Sequence, residues 1–327
     1  MPRLTVLLLS LATLSAFAYG QNANPARPGT LNYIEGQASI EGNQLTSSSI
    51  GSTELQTDQT LSTANGKAEI LLTPGVFLRL GGNTTVRMVS PNLTQTEVKL
   101  VQGRADVEVD QIYKQNVLLV DMPNGQTQLL KNGLYGFDVD DSTVRVFDGQ
   151  AAVYPGAGPH TGIKPIEVKG GHQLALNGEP AKSQHFNKGK AEDNLYNWSS
   201  LRSQYLGEAN VNLAEAYAGY PGFYPGWYWA GGPYGYTWLP GDGLFWNPFG
   251  YGFYSPYYIH GGGFIYGRYG SGIYPYRGGY VGGRAAGGGY VHGAVPAHSS
   301  AGFSGGNSSG FHGGSSGGFH GGGGGHR

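Results

Sequence analysis

The residues of this sequence whose types suit chemistry fall in two groups. In "FDVDDST", Asp138, Asp140 and Asp141 cluster within four positions, and alternating side-chain oxygens of that kind suit calcium. The glycine and the closing glutamate of an EF-hand loop are missing. The stretch therefore reads as a polar hairpin turn at Asp140-Asp141-Ser142 with solvated side chains, and a calcium site is the alternative. The second group is histidine: His312 and His320 each stand in Phe-His-Gly-Gly, with His260, His292, His298 and His326 in the same region. Imidazoles on a flexible tract bind transition metals weakly. Their wide spacing and the lack of a scaffold give no defined site. Catalytic, cofactor-binding and metal assignments are therefore all none, and no cofactor is expected.

Motif chemistry adds nothing. There is no Gly-x-Ser-x-Gly elbow, no His-Glu-x-x-His pair and no Gly-x-x-x-x-Gly-Lys-Ser/Thr loop, so hydrolase and nucleotide-binding readings lack a foothold. The chain has no cysteine, which removes disulfides, thiolate ligands and thiol catalysis. A formal net charge of −1, with no basic stripe, argues against nucleic acid as a partner. Four Asn-x-Ser/Thr triplets, at Asn83, Asn92, Asn197 and Asn307, are taken as chance.

The elements that would position any site are strands. From about Gly29 to Pro180, short runs such as "AEILL", "VFLRL", "ADVEVD", "STVRVFD" and "IEVKG" are rich in β-branched residues, and many alternate apolar with polar. Turn dipeptides punctuate them, among them Asn65-Gly66, Pro74-Gly75, Asn124-Gly125 and Asp148-Gly149. One five-residue shape recurs: Gly36-Gln-Ala-Ser-Ile40, Gly66-Lys-Ala-Glu-Ile70, Gly103-Arg-Ala-Asp-Val107 and Gly149-Gln-Ala-Ala-Val153. Glycine takes the tight turn. Alanine and the branched residue two places on then share one face of the strand. The intervals are unequal, which points to a β-roll or a sandwich with approximate internal repetition, not a strict solenoid.

The order "GQASIEG", "LSTANGKAEILLTPGVFLRLGGNTTVRM", "VKLVQGRADVEV", "STVRVFDGQAAVYP", "IEVKGGHQLAL" resembles the FecR-type periplasmic domain. The matching segments are Pro74 to Leu80 running on to Asn83-Thr84, Val98 to Ala105, Gly133 to Val139 with Val144 to Gly149, and Val168 to Leu176. The resemblance implies a mainly β, non-catalytic envelope module over residues 29–182, with no site residues carried over. FecR-type regulators also have a cytoplasmic helical segment that touches a sigma factor, and a membrane span. Only a signal-like segment precedes this domain, which sets aside direct anti-sigma activity. Gly133-Leu134 replaces the family's Gly-Thr before the aromatic.

Outside that domain the physics changes. Residues 1–20 read as a signal peptide, with Arg3, the apolar run "LTVLLLSLATLSAFA" and small residues for cleavage after Ala18 or Gly20. No later stretch has spanning length, so the mature chain is expected to lack a membrane span. Leu195, Trp198, Leu201 and Tyr205 fall at helical spacing, with Asp193 as cap. The helical segment, residues 193–218, is expected to run from 193 to 206 and to resume from Val211. Residues 219–270 form an aromatic, glycine- and proline-rich region, and 271–327 a Gly/Ser/His-rich tail expected to be disordered. Asp242 is the single acid from Gly219 onward, lysine is absent there, and about a third of that stretch is glycine. The boundary of independent folding is expected at Ala218.

Two functions fit. One is an exported, periplasmic or extracellular module that binds an envelope protein or a cell-wall component. The other is a secreted matrix protein that self-associates weakly through its Gly/Tyr tail.

Overall fold

The computed structural model describes residues 25–156, 164–177 and 181–259. The signal-like segment, the Gly/Ser/His tail and all of the tail histidines lie outside the described residues.

Two open sheets pack face to face. In the first, eight strands lie in the order Leu31–Glu35, Lys67–Leu71, Val76–Leu80, Arg104–Val109, Gly133–Asp138, Thr143–Asp148, His172–Ala175, Gln184–His185. The second has nine strands, in the order Ile166–Lys169, Gln150–Pro155, Gly125–Leu129, Val117–Met122, Gln95–Gln102, Thr85–Pro91, Thr60–Thr63, Ala38–Ile40, Asn43–Gln44. One neighbouring pair is parallel, Gln95–Gln102 with Val117–Met122. Parallel strands need a long crossover, and here the crossover carries Arg104–Val109 into the opposite sheet.

The repeated pentapeptides supply core pairs to both sheets. Ala38 and Ile40, Ala68 and Ile70, Ala105 and Val107, and Ala151 and Val153 are all buried in the single core between the sheets. The glycines are needed for close approach. A Cβ on Gly36, where φ is +71°, would lie 2.4 Å from the Asn65 carbonyl oxygen and 2.9 Å from the Gly66 Cα, so the first two copies abut at their turns. Val144 and Val146 are both fully buried, with Arg145 turned outward between them. Val146→Asp places a carboxylate among these groups and is expected to cost several kcal/mol, on the order of 4. A cooperative melt of this variant at the wild-type temperature would contradict the register.

Two expectations are corrected. The helix is a single element, Asn194–Ala216. It runs unbroken through Gly207, where an added Cβ would be in ordinary contact with the Gly252 carbonyl oxygen at 3.4 Å. Its buried face is also not the one spaced by Leu201 and Tyr205, which are 45% and 41% exposed. Leu195, Trp198, Ser199, Arg202, Ser203, Leu206, Asn210 and Ala214 are buried instead. Asp193 caps the helix as expected, accepting from the Leu195 and Tyr196 backbone N–H groups.

The aromatic region packs as far as Ile259. Gly226–Trp229 pairs with Tyr236–Leu239, and Leu244–Trp246 with Gly252–Tyr254. Trp238 and Phe253 are fully buried in a second core with Leu71, Phe77 and Leu206. Aromatic rings supply the buried area that the few aliphatic residues could not.

Candidate functional site

The outward face of the first sheet is built by the same alternation that builds the core. Glu69, Arg79, Asp106, Glu108 and Asp110 interleave with Ala68, Ile70, Leu78, Leu80, Ala105, Val107 and Val109. A sheet face with such charges normally meets water. Here the helix Asn194–Ala216 and residues 226–254 cover it, and Glu69, Arg79 and Glu108 have no exposure at all.

Most of the charges under this cover have partners from the helix or the aromatic region. Arg79 Nε donates to Glu69 Oε2 at 2.7 Å, and its Nη1 donates to Glu108. From the helix, Arg202 Nη2 reaches Glu69 Oε1 at 2.9 Å and the Tyr234 carbonyl at 2.8 Å, with its guanidinium over the Tyr33 ring at 4.0 Å. Ser203 donates to Glu108, and Ser199 to Asp106 at 2.9 Å. From the aromatic region, Asn247 Nδ2 donates to Glu108 Oε1 at 2.8 Å. Asn32 Nδ2 donates to Glu69 at 2.8 Å and to the Tyr236 carbonyl at 3.0 Å, and its Oδ1 accepts from Tyr236 N at 2.6 Å. Asn210 links two strands of this region, donating to the Trp238 carbonyl at 2.8 Å and accepting from Tyr254 N at 2.7 Å. Each amide side chain thus acts as a stand-in for a missing strand edge.

Two arginines face four carboxyls. Burial alone would raise the Glu69 carboxyl, but Arg202 and then Arg79 outweigh it and hold it at about 2. Burial opposes the Arg79 charge, yet Glu108 and Glu69 hold its pKa above the ordinary value. The other two carboxyls go the opposite way. Asp106 is pushed up to about 7, by burial first, and Asp110 is raised well above its usual range by burial and then by Glu108. No N–H or O–H of another residue meets either Asp110 oxygen, and Glu108 is the acid beside it. Such a site admits no substrate. What it does is fasten the helix and the aromatic strap to the sheet.

The candidates named from sequence sit elsewhere. Asp138 is buried, not solvated. Its Oδ1 accepts from Asp141 N at 3.0 Å, and Arg145 reaches Asp138 at 3.6 Å and Asp141 at 3.7 Å. Ser142 takes a positive φ of 48°. These residues make a polar hairpin turn closed by an arginine, and all three carboxylates are not gathered around one point. Outside the tail, His172 and His185 lie opposite each other on the last two strands of the first sheet, with ring centroids 3.8 Å apart. Among the described residues, no three His, Asp or Glu side chains are grouped to hold a metal.

The charge cluster went unnoticed in the sequence because each strand, taken alone, looks like a half-solvated one. The available signal was the third acid in "ADVEVD" and the Arg202 that follows Ser199 on one helix face.

Beyond the strap, rings reach the surface. Tyr220, Tyr224, Trp246 and Tyr257 are 56%, 76%, 64% and 51% exposed, and Phe223 packs at 5.7 Å against Tyr228 and at 5.6 Å against Tyr257.

No curated protein matches the chain. Two crystal structures of a candidate anti-sigma factor from Parabacteroides distasonis ATCC 8503 are similar to it at 16% identity and a TM-score of 0.34, over 40% of this chain and 62% of theirs. A likeness of that size carries no argument here, and the chain spans less than two thirds of those proteins. The family comparison is more direct, running from just before the strand Thr60–Thr63 into Gln150–Pro155 and taking in Glu69, Arg79, Asp106, Glu108 and Asp110: residues 58–152 match the family described as FecR protein.

Proposed function

We propose that the chain is a non-catalytic regulatory module of the cell envelope, exported and then engaging another protein through its β domain. The FecR match carries this reading. The packing narrows where a partner would bind. With the outward face of the first sheet covered, the second sheet offers the β surface that remains, including Arg87, Glu97, Lys99, Val101, Leu119 and Asp121. Its charges are mixed, and Val101 is 44% exposed. Burial, then Asp121, pushes the Glu97 carboxyl up to about 7, so this face gains negative charge as pH rises through neutrality.

A photo-crosslinking side chain at position 101, in the full chain and in its native cells, is expected to give one adduct of defined mass in the envelope fraction. The same probe at Leu201, on the helix, serves as the comparison. Equal labelling at both positions, or none at 101, would overturn the assignment of this face. Mass spectrometry of the same preparation is expected to find the mature N-terminus at Tyr19 or Gln21; an intact Met1 in the cytosol would overturn export.

The matrix-protein alternative draws on the exposed rings Tyr220, Tyr224, Trp246 and Tyr257. Mass that grows with concentration in sedimentation runs, and vanishes when these rings are replaced, would favour it.

A further inference from the structure

We propose that the interface between the helix Asn194–Ala216 and the strand Arg104–Val109 is a pH-operated latch, closed in acid and loosened as pH rises, with Asp106 as the group that sets it. The geometry singles this residue out. Asp106 is 6% exposed, and its one hydrogen-bond donor is a neutral hydroxyl, Ser199 at 2.9 Å. Each cation around it is committed to another acid. Arg79, its partner in strand register, is held by Glu69 and Glu108. Arg202 is held by Glu69. Arg104, on its own strand, reaches Asp193 at 2.6 Å, and Arg145, past Gly136, pairs with Asp138 and Asp141. From the helix, Asp193 and Tyr196 add no positive charge, and Glu108 follows Asp106 on the strand. On the far side stands Gly136, where an added Cβ would lie 3.5 Å from Asp106 Oδ1, so no side chain there can supply a donor.

Protonated, the Asp106 carboxyl is satisfied by Ser199. Ionised, it puts an uncompensated charge beneath the helix, and lifting the helix rehydrates it. Burial is the main cause that sets the closed-state value at about 7; Asp193 adds to it, and Ser199, Arg79 and Arg104 oppose it.

The sign follows from linkage. A carboxyl whose closed-state pKa lies above its free value gives stability that is complete below the free value and is lost as pH rises through the closed-state value. The free value is 3.8. Between about 4 and 7, therefore, the closing equilibrium weakens by up to tenfold per pH unit for this one proton. Asp110, raised by burial first, contributes in the same direction. Glu69 acts oppositely, and only in stronger acid, because its carboxyl is held at about 2.

Hydrogen exchange on the full chain between pH 4.5 and 7.5, corrected for the intrinsic pH dependence of amide exchange, tests the latch. Amides of residues 198–214 are expected to lose protection as pH rises. Asp106→Asn is expected to remove one proton's worth of that slope, to melt above wild type at pH 7.5 and to match it at pH 4.5. An unchanged slope in the variant would overturn the proposal. A direct titration of the wild-type Asp106 carboxyl by NMR is independent of how the variant folds. An inflection near 7 is expected, and one below 5 overturns the latch.

Discussion

Ending the chain at Ala218 instead of Ile259 is expected to lower its melting temperature by roughly 10–20 °C. Sequence composition places the end of the folded unit at Ala218, and the packing moves it. Leu71, Phe77 and Leu206 belong to the part that would remain, and all three are fully buried in the core they share with Tyr236, Trp238 and Phe253. Uncovering a large apolar side chain costs about 1.5–3 kcal/mol. Part of that is offset, because the residues removed no longer have to be ordered. The polar losses are not offset: Glu108 gives up Asn247, Asn32 gives up both of its Tyr236 bonds, and Arg202 gives up the Tyr234 carbonyl. A net loss of about 5 kcal/mol is a large part of the usual 5–15. In a domain of this size about 1 kcal/mol moves the midpoint by roughly 2–4 °C. Calorimetry of fragments 25–218 and 25–259 decides the matter, and equal midpoints would show that the aromatic region is a passenger.

Replacing Arg79 is expected to be the most damaging single change in the charge cluster. Arg79→Met keeps much of the length and removes the charge, leaving Glu108 with hydroxyl and amide donors only and Glu69 with Arg202 alone. Breaking a buried pair from one side costs roughly 3–5 kcal/mol, because the stranded partner stays desolvated. The pH response separates this cause from lost packing. In the wild type, Glu69 contributes stability that is present above 4.5 and lost as pH falls through about 2. Without Arg79 the lower end of that window moves up toward 4.5 and the window narrows, so chemical denaturation curves are expected to show the variant losing less stability than the wild type as pH falls from 4.5 to about 2. Arg79→Met with Glu108→Gln is expected to recover much of the loss, since the unpaired charge goes too.

How much of this was legible in the sequence depends on which interactions are local. Alternation in "STVRVFD" put Val144 and Val146 on one buried face, and the four pentapeptides marked core entries, because both patterns are set by neighbouring residues on one strand. Asp193 as a helix cap was legible for the same reason. The cover over the first sheet was not. Glu69 and Arg202 are 133 positions apart, and Glu108 and Asn247 are 139; no periodicity on one element shows that a polar face will be matched by another. Leu201 and Tyr205 misled because the helix buries a stripe of serines, an arginine and an asparagine, which by hydropathy looks like its wet side. The aromatic segment misled in turn: its glycines suggested looseness, while Trp238 and Phe253 had an apolar patch waiting for them around Phe77.

The pairing of Asn32 with Tyr236 spans 204 positions, and that separation has a bearing on how the chain comes to be folded. A ribosome releases Asn32 near the start and Tyr236 near the end of the described residues. Contacts of such range close late and slow a fold. The first strand, Leu31–Glu35, can pair with Lys67–Leu71 early, but its buried amide side chain stays without its backbone partner until nearly everything else has been made. The unfinished protein therefore passes through a stage in which one sheet is formed and its charged side is still bare. That stage lasts as long as translation takes to deliver residues 219–259, and any chaperone or passage that needs an incompletely locked chain has that interval in which to act.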